Sequence, residues 1–191
     1  MTSKQSQFIY GLLVAISGTM IIQMSFQPTE TTRYIIGTLM AISGIFAFIV
    51  GNLSVYSEVR QKYNELQGIW MVAYSLAIFF SAITIARFVA LTMGLMLFLG
   101  ITEIFFTSEF FAYKRKFNLW IIVARMISGF LMTIGSLIMF AFTFDDMHTS
   151  LLGAGILIAF TGFNFMLFAK SRRTHTWHSK THVSRHVANS R

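Results

Sequence analysis

The sequence predicts an all-α, polytopic membrane protein of six transmembrane helices. Three observations predict it: an apolar composition, six apolar runs of membrane-spanning length, and a small-residue helix motif that recurs along the chain. Hydrophobic residues make up 55% and charged residues 12% of the 191 positions. A soluble domain carries about twice that share of charge. The only proline is Pro28, and 21 residues are Phe, as suits long apolar helices.

The runs are Phe8–Met24, Tyr34–Val55, Ile69–Ala86, Phe88–Phe106, Leu119–Phe142 and Leu151–Ala169, each 17 to 24 residues long. About 20 residues at 1.5 Å rise cross a hydrocarbon core of roughly 30 Å. No water is present there to satisfy backbone groups, so helix is the expected form. The third and fourth runs nearly fuse around Arg87. The first run is expected to be a retained helix, since Lys4 alone precedes it and no small-residue cleavage site follows. Residues 1–170 thus form the six-helix domain. Residues 171–191 form a basic, His-rich tail that is expected to be disordered.

The net charge of +8 follows the bilayer rather than nucleic acid. If successive runs alternate in direction, one side carries twelve basic residues: Lys4, Arg60, Lys62, Lys114, Arg115, Lys116, Lys170, Arg172, Arg173, Lys180, Arg185 and Arg191. The other carries Arg33 and Arg87, with the acidic Asp145 and Asp146. The positive-inside rule then places both termini in the cytoplasm. With no Cys, thiolate catalysis, disulfides and Cys-based metal sites are excluded.

The repeat is Gly, three residues, Ala, one residue, Ser or Thr, Gly. It occurs as GLLVAISG (Gly11–Gly18), GTLMAISG (Gly37–Gly44) and GILIAFTG (Gly155–Gly162). Shorter versions are GLMLFLG (Gly94–Gly100) and GFLMTIG (Gly129–Gly135), and the third run substitutes Ala73, Ala77 and Ser81. Positions i, i+4 and i+7 share a helix face. Gly11, Ala15 and Gly18 therefore form one stripe, Gly37, Ala41 and Gly44 a second, and Gly155, Ala159 and Gly162 a third. Small stripes let helix backbones approach where lipid removes any hydrophobic drive to associate. Packing accounts for these glycines without a substrate path. The expected units are three tandem helical hairpins, 1–2, 3–4 and 5–6.

The repeated G-h-h-h-A-h-S-G helix, the six-run count, Pro28 after the first run and the G-I-x-E stretch at Gly100–Glu103 resemble the HdeD family of acid-resistance membrane proteins, a short-repeat family. The likeness runs from about Phe8 to Ala169 and is clearest over the first two runs. The loops after the third and fifth runs lack the expected Pro, and the His-rich tail is foreign to the family pattern. The resemblance implies a bacterial inner membrane and a role in acid or general stress resistance. It carries no catalytic residue across.

Glu103 and Arg125 are the two ionisable residues within apolar runs, and such residues are functional candidates by default. Counted from the run ends, Glu103 sits roughly 5 Å and Arg125 roughly 9 Å deep on the same side. They are placed to pair between neighbouring antiparallel helices. A register-fixing or snorkelling role stands beside a proton-responsive one. In the tail, His175, His178, His182 and His186 are spaced 3, 4 and 4. That spacing suits a shared metal or a pH-responsive contact. Yet from Lys170 onward the chain holds no acidic side chain and six Lys or Arg, so contact with anionic lipid headgroups is the expected role. Asp145, Asp146 and His148 read as a solvated turn. Trp70, Trp120 and the aromatics from Phe105 to Tyr113 read as interfacial anchors.

No Walker loop, dinucleotide fingerprint, H-E-x-x-H or nucleophile elbow occurs. The expectation is a non-enzymatic protein without cofactor or metal. Its expected partners are the bilayer, anionic headgroups, and a second copy or another membrane protein, with no nucleic acid. The alternative is a small transporter or channel for protons or a small solute built on Glu103 and Arg125. That reading requires a polar cavity at midplane depth lined by Ser43, Thr102, Ser128 or Thr161.

Overall fold

A computed structural model of the chain describes residues 3–52, 58–80, 84–112, 119–142 and 146–171. The tail histidines His175, His178, His182 and His186 lie outside the described residues, as do Ser81, Tyr113, Lys114, Arg115, Lys116 and Asp145. Six helices follow in order: α1 Ser3–Phe26, α2 Glu30–Asn52, α3 Glu58–Phe80, α4 Ile85–Ala112, α5 Leu119–Phe142 and α6 Met147–Ser171. Among the described residues, α1, α2, α4, α5 and α6 are long and apolar enough to cross a membrane. The architecture is an all-α polytopic membrane bundle.

Helix α3 departs from the expected 69–86. It begins at Glu58 and ends at Phe80, and Ile85 and Ala86 belong to α4. The reason is that hydropathy marks apolarity, not helicity. The segment EVRQKYNELQ is polar but rich in good helix formers. Its periodicity turns Asn64 and Gln67 inward while Lys62 and Leu66 face out. Arg87, around which the third and fourth runs nearly fuse, lies in the first turn of α4.

The three helices that start on the same side as the α1–α2 turn are each capped by a side-chain oxygen. Thr29 Oγ1 accepts from the Thr32 amide at 3.2 Å and starts α2. Thr84 Oγ1 accepts from the Arg87 amide at 3.4 Å and starts α4. Asp146 Oδ1 accepts from the His148 and Thr149 amides at 3.0 and 3.2 Å and starts α6. Each cap satisfies amides that have no partner inside the helix.

The packing units differ from the tandem hairpins 1–2, 3–4 and 5–6. The closest pairs are α1 with α6, α2 with α3, and α4 with α5. Mutual glycines decide this. A Cβ on Gly11 would lie 2.8 Å from the Gly162 carbonyl oxygen, and one on Gly18 would lie 2.7 Å from that of Gly155. Reciprocally, Gly155 faces the Gly18 carbonyl at 2.8 Å and Gly162 that of Gly11 at 2.7 Å. The first and last copies of the motif therefore interlock in reverse order, with Ala15 and Ala159 between them. In the second pair, Gly44 and Gly68 each face the other's carbonyl at 2.8 Å, and Ser75 Oγ donates to the Gly37 carbonyl at 2.7 Å. In the third, Gly100 faces the Gly129 carbonyl at 2.8 Å and Gly129 that of Gly100 at 3.0 Å. Ser136 Oγ adds a bond to the Met93 carbonyl at 2.6 Å. Helices α1 and α2 touch less closely although only Gln27–Thr29 separates them. Chain adjacency tethers them, but no reciprocal glycine pair brings their backbones together.

Not every motif glycine packs in this way. A Cβ on Gly94 would meet nothing within 4 Å, so this position leaves the packing set. Gly135 faces only the Leu157 side chain, at 2.9 Å. Gly68, outside the motif, joins the set.

The contrast is testable by denaturant titration of purified protein in mixed micelles. Gly162→Leu is expected to destabilise the bundle by about 1–3 kcal/mol or more, since backbone and not a movable side chain blocks the new atoms. Gly94→Ala is expected to be neutral or to stabilise by up to about 1 kcal/mol through helix propensity.

Candidate functional site

Glu103 and Arg125 meet inside the bundle. Arg125 Nε donates to Glu103 Oε2 at 2.7 Å and Arg125 Nη2 to Glu103 Oε1 at 2.6 Å. This two-bond fork is the strongest geometry open to these groups. Neither residue snorkels: Glu103 is 0% and Arg125 3% exposed. Helix α4 continues nine residues past Glu103 to Ala112, about 13 Å along the axis, so the pair lies well inside the helix and not at its end.

The approach of α4 to α5 that brings the two residues together depends on Gly129, one turn beyond Arg125. A Cβ there would stand 3.0 Å from the Cβ of Glu103. The carboxylate is then completed from α3, where Gln67 Nε2 donates to Glu103 Oε1 at 2.6 Å and to Thr102 Oγ1 at 3.3 Å. Gln67 Oε1 accepts from the Tyr10 hydroxyl of α1 at 3.1 Å. The guanidinium is enclosed by three rings, Phe106 of α4 and Phe165 and Phe168 of α6, with centroids 4.3, 4.9 and 4.6 Å from Cζ. Arg125 Nη1 makes no hydrogen bond among the described residues, and ring faces take the place of acceptors. Tyr10 stacks on Phe165 at 4.9 Å and links the two halves of the shell. Side chains of α1, α3, α4, α5 and α6 therefore converge on one neutral ion pair.

Apart from Thr102, the hydroxyls named for a polar path do not join this network. Ser43 is buried on α2. Ser128 donates to the Arg125 carbonyl of its own helix at 3.0 Å, and Thr161 lies 2.9 Å from both the Leu157 carbonyl of its own helix and Met132 Sδ of α5. The apolar core of the bundle is built from buried Phe, Met, Leu, Ile, Val, Ala and Tyr side chains. Among the described residues no group of three or more His, Asp or Glu is placed to hold a metal ion.

Sequence reasoning placed Glu103 and Arg125 but missed Tyr10, Gln67 and the three rings. Gln67 falls in the polar first part of α3, which no apolar run includes. A usable signal existed for Phe106, three residues after Glu103 and so on the same helix face, and for Phe165 with Phe168 at the same spacing. Trp70 is not a free anchor: it stacks on Phe98 at 3.6 Å between α3 and α4. Trp120 is 79% exposed at the start of α5.

At the opposite end of the bundle, His148 Nδ1 lies 2.7 Å from the Ser25 carbonyl oxygen in the last turn of α1. A carbonyl only accepts, so Nδ1 carries the proton. The ring also meets Phe26 edge-on at 5.1 Å. Beside it, the Thr149 hydroxyl first, then the Thr149 and His148 amides, hold the Asp146 carboxyl below the usual carboxylate range.

Comparison with protein-family models, with curated proteins and with solved structures finds no match to this chain. The geometry supports a polytopic helical membrane protein with a buried, multiply anchored ion pair.

Two outcomes are expected. In a double-mutant cycle read by unfolding in mixed micelles, Arg125→Met and Glu103→Leu alone each cost about 3–5 kcal/mol, because each strands a buried charge. The double variant costs well under their sum. Separately, the native carboxyl of Asp146 ionises more readily than the unfolded one. Its capping contribution is therefore present above the ordinary carboxylate range and is lost as pH falls through the lowered native value. Asp146→Ala should speed hydrogen exchange at the His148 and Thr149 amides at neutral pH, with the difference from wild type vanishing in strong acid.

Proposed function

We propose that this chain is a non-enzymatic protein of the bacterial inner membrane, with both termini cytoplasmic, that supports resistance to acid or general stress in the manner the HdeD resemblance implies. The observation that carries the reading is the Glu103–Arg125 pair, closed off by Gln67, Tyr10 and three phenylalanines and shared among five helices. The arrangement suits a lock on bundle architecture. A carboxylate that accepts three short bonds from two neighbouring helices holds α3, α4 and α5 in one register. Protonating it would remove the charge that orients both the guanidinium and the Gln67 amide, and so loosen α4 against α5.

The enclosure of the pair by Phe106, Phe165 and Phe168, with Ser128 bonded back within α5, supports this reading over transport, which needs a wet path through the same region. Acid survival of cells carrying Glu103→Gln at matched membrane abundance tests it. Survival is expected to fall to the level of the deletion strain, and wild-type survival would sink the proposal. In liposomes containing a pH-sensitive dye, the wild-type protein is expected to hold an imposed pH gradient as well as protein-free liposomes do. Rapid collapse of the gradient would favour a proton path instead.

A further inference from the structure

Where α1 begins and α6 ends, the two helices leave a groove of about 610 Å³ lined by Lys4, Gln5, Phe8, Ile9, Ala169 and Lys170. The groove has two chemistries in a definite order. Its outer end carries two ammonium groups, one from each helix. No carboxylate lines it, and neither lysine has a hydrogen-bond or ion-pair partner among the described residues. One turn inward from Lys4 the lining becomes apolar. Phe8 is 45% exposed, and beyond it Leu12 on α1 and Leu167 on α6 are each 39% exposed. Flexible lysine stems carry their charge to the interface while their methylenes cover apolar surface.

We infer that this groove is a binding site for one anionic phospholipid, its phosphate held between Lys4 and Lys170 and its acyl chain laid along Phe8 and Ile9. Charge complementarity selects an anion. The apolar floor at helix ends selects a lipid over a soluble phosphate. Basic pockets between transmembrane helices on the cytoplasmic side recognise such headgroups, and the Lys and Arg distribution assigns this face to that side. The lipid would bridge the closest helix pair at its open end. The inference rests on the membrane architecture and not on any role for Glu103.

The test uses the full chain, purified, delipidated and held in a neutral detergent. Retention of added dioleoylphosphatidylglycerol is read by native mass spectrometry beside dioleoylphosphatidylcholine, and thermal unfolding is followed with each lipid and with inorganic phosphate. Wild type is expected to hold phosphatidylglycerol about thirtyfold more tightly than phosphatidylcholine, as two interfacial lysines imply. Lys4→Gln/Lys170→Gln is expected to abolish the preference, each single variant to remove part of it, and Lys62→Gln to leave it intact. The 171–191 segment is the same in all variants, so its own charge cancels. A preference that survives in the double variant overturns the site. So does an equal loss in Lys62→Gln, or equal stabilisation by phosphate alone. Should the double variant fail to fold, the two single variants decide by the same criterion.

Discussion

In a bilayer, hiding apolar surface gives helices no reason to associate, because lipid tails are as apolar as the side chains that would replace them. What remains is close contact between backbones, and that contact needs an absent Cβ on both partners. Reciprocal glycines meet this requirement three times here: α1 against α6, α2 against α3, α4 against α5. Every other feature of the interior follows from how close those approaches are.

The polar network shows the dependence most directly. Three of its members sit next to a glycine contact. Tyr10 adjoins Gly11, Gln67 adjoins Gly68, and Glu103 stands against Gly129. Hydrogen bonds of 2.6–2.7 Å among these side chains require helix axes set close and in fixed register. The glycine pairs thus carry the three elements into bonding range, and the ion pair selects one register among those that stripes of small residues alone would allow. The cost of desolvating two charges is met by five-helix enclosure, with ring faces for the nitrogen that has no acceptor.

Much of this was legible in the sequence, and the remainder was hidden for identifiable reasons. Apolar runs found helices where lipid is the solvent, so α5 was read at its observed bounds. They failed at α3, whose first turns are helical yet polar, with Asn64 and Gln67 turned inward. The small-residue motif announced close packing but not with whom: identical stripes on α1, α2 and α6 fit one another equally well on paper. Gly94 matched the spacing by coincidence and faces open space. The charged pair stood out because charge in an apolar run is rare. Its polar shell did not, because Tyr10 and Gln67 are ordinary residues until tertiary structure brings them 3.1 Å apart.

Closing α1 onto α6 also sets an order of events. The two helices that approach most intimately are separated by the other four, so α1 enters the membrane long before its partner has been synthesised. Until α6 arrives, the stripe of Gly11, Ala15 and Gly18 faces lipid and Arg125 lacks Phe165 and Phe168. A contact of such long sequence separation forms late and exposes its intermediates. A chain stalled before Met147 would keep Glu103 and Phe106 beside the guanidinium but lack the two ring faces that α6 brings. The α1–α6 contact is therefore available only once α6 has been made, and it is this contact that completes the enclosure of the ion pair.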